Sequence, residues 1–295
     1  MAKTVKAAFD EYKSNLNLTT RQETLVSDRR ANVVRALKRE LTLHPEESKV
    51  IGSWDRSTIT RYLSEGDVDV LVVLHYSTHK DWDNSGGTIK CLDKFRSILV
   101  DAYPSTTIRR DRNCVTMAFS EFRLDVVPAF KYDDGYYKIP DSIRKLWVKT
   151  DPFKFAEGVT SINKSMEGTF VPLIKMIKGW NRDVDWPIRS FHLECIMYNR
   201  YQGYTKGYTY SSMVKLFFEA LPGYLRASCY DPVMGDRVDT YMDNAATKTR
   251  RTIAVEKAEA AAKAAKAAFD LEETDQSESI RKWKALLGEF FPSYG

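Results

Sequence analysis

The chain has 295 residues, enough to bury a large core or two lobes, with 43% hydrophobic and 29% charged side chains. That balance excludes intrinsic disorder, and no apolar run approaches the ~20 residues that a membrane span needs. The net charge of +5, from 45 basic and 40 acidic residues, is too small and scattered to mark a dedicated nucleic-acid binder.

The N-terminal segment MAKTVKAAFDEYKSNLNL has no apolar signal core, so a cytoplasmic rather than secreted protein is expected. Residues 1–20 and 21–45 are predicted as helices. The second carries Val26, Val33, Val34, Leu37 and Leu41 at helical spacing and should end at His44-Pro45. Lys49-Val50-Ile51 is expected to form a short strand running into Gly52-Ser53-Trp54, with a helical turn or loop next and then a strand over Val68–Leu74. A helix is predicted over 91–103, with Leu92, Phe95, Ile98 and Leu99 on one face, followed by strands at about 106–119 and 121–130. The first half is thus helices plus a small mixed or antiparallel sheet. Beyond Thr150-Asp151-Pro152 the pattern turns helical: 153–167, 169–181, Phe191–Tyr201, 209–219, a long Ala/Lys/Glu-rich helix over 236–270, and a last helix over 277–290 stopped by Pro292. The change of character divides the chain into regions 1–150 and 151–295.

Three acidic residues stand out: Asp67 and Asp69 in GDVDVLVVL, and Asp125 in FRLDVVPAF. Strand alternation places Asp67 and Asp69 on one face and Val68, Val70 and Val72 on the other. Carboxylates in apolar strands need their charge compensated, and two on one face with a third from another strand suit divalent cations. The plainer alternative is a set of surface aspartates held by Arg56, Arg61 or Arg123. Upstream, Gly52-Ser53 supplies a turn whose backbone N–H groups, with the serine hydroxyl, can meet phosphate oxygens. Together these parts suit a nucleoside triphosphate and two Mg²⁺ ions, with Mn²⁺ a possible substitute, where an oxygen nucleophile attacks the α-phosphorus.

The remaining signals are weaker. Cys91, Cys114, Cys195 and Cys229 are widely spaced and suggest neither a zinc site nor a disulfide framework. His75 and His79 are read as a solvated loop rather than a helical metal pair. The basic stretch Arg109-Arg110-Asp111-Arg112 could bind phosphate but reads better as a solvated edge.

Gly52-Ser53, Asp67-Val68-Asp69-Val70 and Leu124-Asp125-Val126-Val127-Pro128 resemble the nucleotidyltransferase signature of the polymerase-β superfamily. More narrowly, the chain resembles the bacterial cGAS/DncV-like nucleotidyltransferases, relatives of animal cyclic GMP-AMP synthase and oligoadenylate synthase, over most of residues 20–292. The narrower likeness rests on Thr58 after the Gly-Ser turn, on Leu173–Asn181 as a helix ending in Lys-x-Trp, on Ser190-Phe191-His192-Leu193-Glu194, and on Asp231-Pro232 with the C-terminal Trp283…Leu287-Gly288…Phe291-Pro292. The stretch Arg61–Gly66 is slightly longer than the family's usual spacing.

The resemblance implies an α+β, two-lobed fold: a small mixed sheet with the three aspartates, and a helical lobe like that of oligoadenylate synthase. It implies a Mg²⁺-dependent enzyme that makes a cyclic di- or trinucleotide second messenger from ATP and other NTPs for antiphage signalling, with an effector protein reading the product. Lys178 and Ser190 would contact donor phosphates, with Lys175 the candidate should Lys178 face solvent, and Phe191 would stack on a base. Asn163 could read a base edge with its amide. A linear-oligonucleotide or RNA-tailing enzyme, and a catalytically silent nucleotide-binding module, are the alternatives.

Overall fold

Helices α1 (Val5–Asn15) and α2 (Thr20–Lys38) open the chain, each started by a threonine, Thr4 or Thr19, whose hydroxyl accepts a first-turn backbone N–H. Strands β1 (Leu43–Ile51) and β2 (Asp67–Leu74) follow, then a short helix α3 (Tyr76–His79) and the longer α4 (Gly87–Ala102). Five strands come next: β3 (Thr107–Arg110), β4 (Val115–Ala118), β5 (Arg123–Lys131), β6 (Tyr137–Asp141) and β7 (Leu146–Thr150). The rest is helical: α5 (Pro152–Ser165), α6 (Phe170–Asp183), α7 (Ser190–Tyr201), α8 (Tyr210–Arg226), α9 (Lys248–Phe269) and α10 (Gln276–Leu287). This computed structural model describes residues 2–132, 134–243 and 248–295. The chain divides into two units, Leu18–Ala156 and a second made of Met1–Asn17 with Glu157–Gly295.

In the first unit seven strands form one mixed sheet, ordered β1-β2-β5-β4-β3, with β6 and β7 continuing from β5. Among the described residues of this sheet, β2 and β5 run parallel and the other strand pairs are antiparallel. Val68, Val70, Val72, Leu124 and Val126 share a core with Val33 and Leu37 of α2 and Leu92, Phe95 and Leu99 of α4. The opposite face carries a smaller apolar group: Leu71, Val73, Val127, Ala129 and Tyr137.

Several boundaries differ from the sequence expectation. Helix α2 ends at Lys38, and His44-Pro45 lies in β1. Proline has no N–H for a ladder, yet β1 is an edge strand, and its register slips between Leu43 and Ser48, so Pro45 falls in the irregular stretch. The long strand expected over 106–119 is a hairpin, β3–β4, broken where the Asp111 N–H bonds to the Cys114 carbonyl. Strands β6 and β7 were not anticipated. The long helix expected from 236 begins at Lys248, after a β-bridge between Tyr230 and Arg237 and a short 3₁₀ turn at Thr240–Met242; residues 244–247 lie outside the described residues.

In the second unit, α6 buries Phe170, Leu173, Ile174, Ile177 and Trp180, and the Trp180 ring meets Phe218 of α8 edge-on at 4.8 Å. Phe9 of α1 packs edge-on against Trp283 of α10 at 5.1 Å. The alanine run of α9 buries Ala254, Ala258, Ala261, Ala265 and Ala268, a helical spacing that makes it a packing face as well as a strong helix former.

Candidate active site

Strand β2 enters the sheet with Asp67 and Asp69 before it becomes wholly apolar, and β5 brings Asp125 alongside. In the parallel register Asp69 is the direct partner of Asp125, and Asp67 of Arg123. Alternation sets all three carboxylates on the face shared with Leu71, Val73, Val127 and Ala129, away from α2 and α4. The helices seal one side of the sheet, so these strands can carry acids only on the other.

The Gly-Ser turn sits against this cluster. Gly52 has φ +70, and a Cβ built there would lie 2.3 Å from Asp69 Oδ2, so no other residue fits without displacing the carboxylate. The Ser53 carbonyl accepts hydrogen bonds from the backbone N–H groups of Thr58 (2.8 Å) and Ile59 (2.9 Å), which closes the turn. Thr58 is fully buried and its hydroxyl also reaches the Ser53 carbonyl at 3.4 Å, so it holds the turn from behind. The segment from Gly52 to Ser57 is a turn without a helix after it, so any anion here would meet turn amides rather than a helix N-terminus.

Asp125 carries the clearest electrostatic signature of the three. Burial raises the Asp125 carboxyl above its ordinary pKa; a hydrogen bond from Thr116 opposes this, and the charge of Asp67 adds to it. The Thr116 hydroxyl donates to Asp125 Oδ1 at 2.6 Å. Burial and the charges of Asp125 and Asp69 push the Cys114 thiol up, which makes it an inert neighbour rather than a nucleophile. Asp67 pairs with Arg123, the alternative partner that the sequence offered. Among the described residues, no three His, Cys, Asp or Glu side chains are already gathered as a bound metal would hold them. The donor set nevertheless fits a hard divalent cation: three carboxylates, two of them direct strand partners.

Lys178, Ser190 and Phe191 belong to the second unit. Lys178, on α6, is buried and its ammonium lies 3.1 Å from Oε1 of the equally buried Glu194 on α7. Lys175 is half-buried and bonds to Asn17 Oδ1. Ser190 is the first residue of α7, which has no side-chain cap, and Phe191 is exposed rather than core. Asn163 accepts the Val171 N–H with its amide oxygen at 2.9 Å, a bond that ties α5 to the start of α6.

The histidines do not form a pair: His75 Nδ1 lies 2.9 Å from the Ser77 hydroxyl, and His79, on α3 rather than in a loop, stacks on Trp82 with Nε2 3.1 Å from the Thr42 carbonyl. In the basic stretch, Arg110 pairs with Asp93 and Arg112 with Asp141. All four cysteines are free and buried. Thr116 and Glu194 are contacts that sequence reasoning did not assign. For Thr116 the only trace was a hydroxyl between the apolar Val115 and Met117.

No helix among the described residues is long and apolar enough to cross a membrane. Residues 3–163 match the model of the Second Messenger Oligonucleotide or Dinucleotide Synthetase domain. The chain is 27% identical over 289 residues to a cyclic AMP-AMP-AMP synthase of Acinetobacter, covering 87% of this chain and 77% of that one. Its fold is similar to that of Escherichia coli CdnC solved with ATP (TM-score 0.71, 17% identity, 97% and 98% of the two chains). It is similar also to the Vibrio cholerae dinucleotide cyclase DncV (TM-score 0.72, 14% identity, 97% of each chain). The architecture is therefore the α+β, polymerase-β-like fold that the sequence resemblance implied.

Proposed function

Because the chain belongs to the family of Second Messenger Oligonucleotide or Dinucleotide Synthetases, we propose that it joins nucleoside triphosphates into a cyclic di- or trinucleotide for antiphage signalling. The observation that carries this reading is the direct pairing of Asp69 with Asp125, with Asp67 on the same face and Gly52-Ser53 against Asp69. Asp67, Asp69 and Asp125 would hold two divalent cations, Mg²⁺ or in its place Mn²⁺. When bound, such ions neutralise triphosphate charge and make a sugar hydroxyl easier to deprotonate.

The remaining work falls to this chain's own residues. The amides of the Gly52-Ser53 turn, with the Ser53 hydroxyl, bind phosphate oxygens and orient the triphosphate, while buried Thr58 keeps the turn rigid. Asp125 would also accept the proton of the attacking hydroxyl. The new bond joins that oxygen to the α-phosphorus, the bond to the β-phosphate breaks, and pyrophosphate leaves. A second transfer by the same residues closes the ring of a linear intermediate. On the helical unit, exposed Phe191 offers a face for stacking on a base and Ser190 a hydroxyl for a phosphate oxygen, whereas Lys178 is already engaged by Glu194. ATP is the expected first substrate, as in the CdnC structure with ATP, and an effector protein reads the product.

The test is an incubation of the protein with Mg²⁺ and α-labelled NTPs, followed by phosphatase. A cyclic product has no terminal phosphate and is unchanged by phosphatase. A product that loses its 5′-terminal phosphates would assign a linear synthase, extension of added RNA a tailing enzyme, and binding without turnover a silent module.

A further inference from the structure

Asp125 receives its hydrogen bond from across the antiparallel β4–β5 pair, where Thr116 is its direct register partner. The bond is short for two oxygens, 2.6 Å between Thr116 Oγ1 and Asp125 Oδ1. Thr116 sits between buried Val115 and Met117, both in the core beneath the sheet, so the backbone there cannot rotate to aim the hydroxyl elsewhere. Asp125 flanks the site on its other side as well, through Asp69 on β2. Asp125 thus lies between β4 and β2, with Thr116 on one side and Asp69 on the other.

We propose that Thr116 is a positioning residue for the metal site: its hydroxyl fixes the rotation of the Asp125 carboxylate, so that the oxygen Thr116 does not engage is presented to a cation already oriented. This inference rests on the reading of Asp125 as a metal ligand. A carboxylate free to turn must be ordered when a cation arrives, and groups that orient ligands in this way commonly change metal affinity 10–100-fold. A β-branched residue is stiff at χ1, so threonine directs its hydroxyl better than serine, while valine keeps the shape and removes the donor.

The experiment measures Mn²⁺ binding to the full chain by electron paramagnetic resonance, without nucleotide, for wild type, Thr116→Val, Thr116→Ala, Thr116→Ser and Asp125→Asn. Thr116→Val should bind Mn²⁺ about tenfold more weakly than wild type, with its melting temperature little changed, and Thr116→Ser should recover most of the affinity. In turnover, the Mg²⁺ concentration for half-maximal rate should rise by a similar factor while KM for NTP at saturating Mg²⁺ stays put. Thr116→Ala carries the same expectation and serves if the valine variant does not fold. The proposal is overturned if Thr116→Val or Thr116→Ala binds Mn²⁺ like wild type while Asp125→Asn has lost it. Wild-type binding by Asp125→Asn would overturn the underlying assignment of Asp125 instead.

Discussion

Asp69 and Asp125 are direct partners in the parallel register of β2 and β5, on a face they share with Leu71, Val73, Val127 and Ala129. Like charges set opposite one another in a sheet are destabilising, by roughly 0.2–1 kcal/mol. Asp69→Asn should therefore stabilise the metal-free protein by up to about 1 kcal/mol in denaturant unfolding. Mg²⁺ should raise the melting temperature of wild type and leave that of Asp69→Asn nearly unmoved, since only the form that binds the ion gains from it.

Gly52→Ala tests the contact between turn and carboxylate. The added Cβ meets Asp69 Oδ2 at 2.3 Å, and φ +70 is costly for any residue with a Cβ. The variant is expected to lose about 1–3 kcal/mol of stability. Its turnover should fall at least about a hundredfold, because a displacement of about 1 Å at a reacting site has that effect. A variant with wild-type turnover would separate the turn from the chemistry.

Lys178 and Glu194 form a buried ion pair with side chains 6% and 0% exposed. Removing either partner takes this compensation from the other buried charge and should cost about 3–5 kcal/mol, whereas Lys178→Met combined with Glu194→Leu should recover much of that. Urea unfolding of the two single variants and the double variant completes the cycle. If Lys178 also contacts triphosphate, the double variant will be stable yet have a raised KM for NTP.

His192 makes stability depend on pH. Its ring is buried, Nε2 has no partner among the described residues, and burial lowers its pKa from 6.5 to about 4. Between those values the unfolded chain binds a proton that the folded chain does not, so stability falls as pH drops from about 6.5 to about 4. The loss should approach about 3 kcal/mol at the low end. His192→Gln should flatten the slope in that window; an unchanged slope would assign the effect to other groups.

The parts of the site legible in the sequence were those that obey a local period. Asp67, Asp69 and Asp125 declared themselves by interrupting apolar strands, and Gly52 by preceding them with a turn residue. Pro45 misled because a proline ends a helix in most contexts but is tolerated at a sheet edge, and edge position is a property of topology. Strands β6 and β7 escaped because Pro140 and Asp141 interrupt one and only Leu146, Trp147 and Val148 form an apolar run in the other. Thr116 and Glu194 were invisible for a different reason. Their partners lie 9 and 16 residues away, joined by strand register and by the packing of two helices.

The most direct measurement is the product profile of wild type, Asp67→Asn, Asp69→Asn and Asp125→Asn, each confirmed folded and incubated with Mg²⁺ and an equimolar NTP mixture. Mass spectrometry after phosphatase treatment reads the outcome. A phosphatase-resistant cyclic oligonucleotide from wild type, absent or reduced at least about a thousandfold in each variant, is expected. The same cyclic product at comparable yield from any of the three variants would contradict the assignment of that carboxylate to the chemistry.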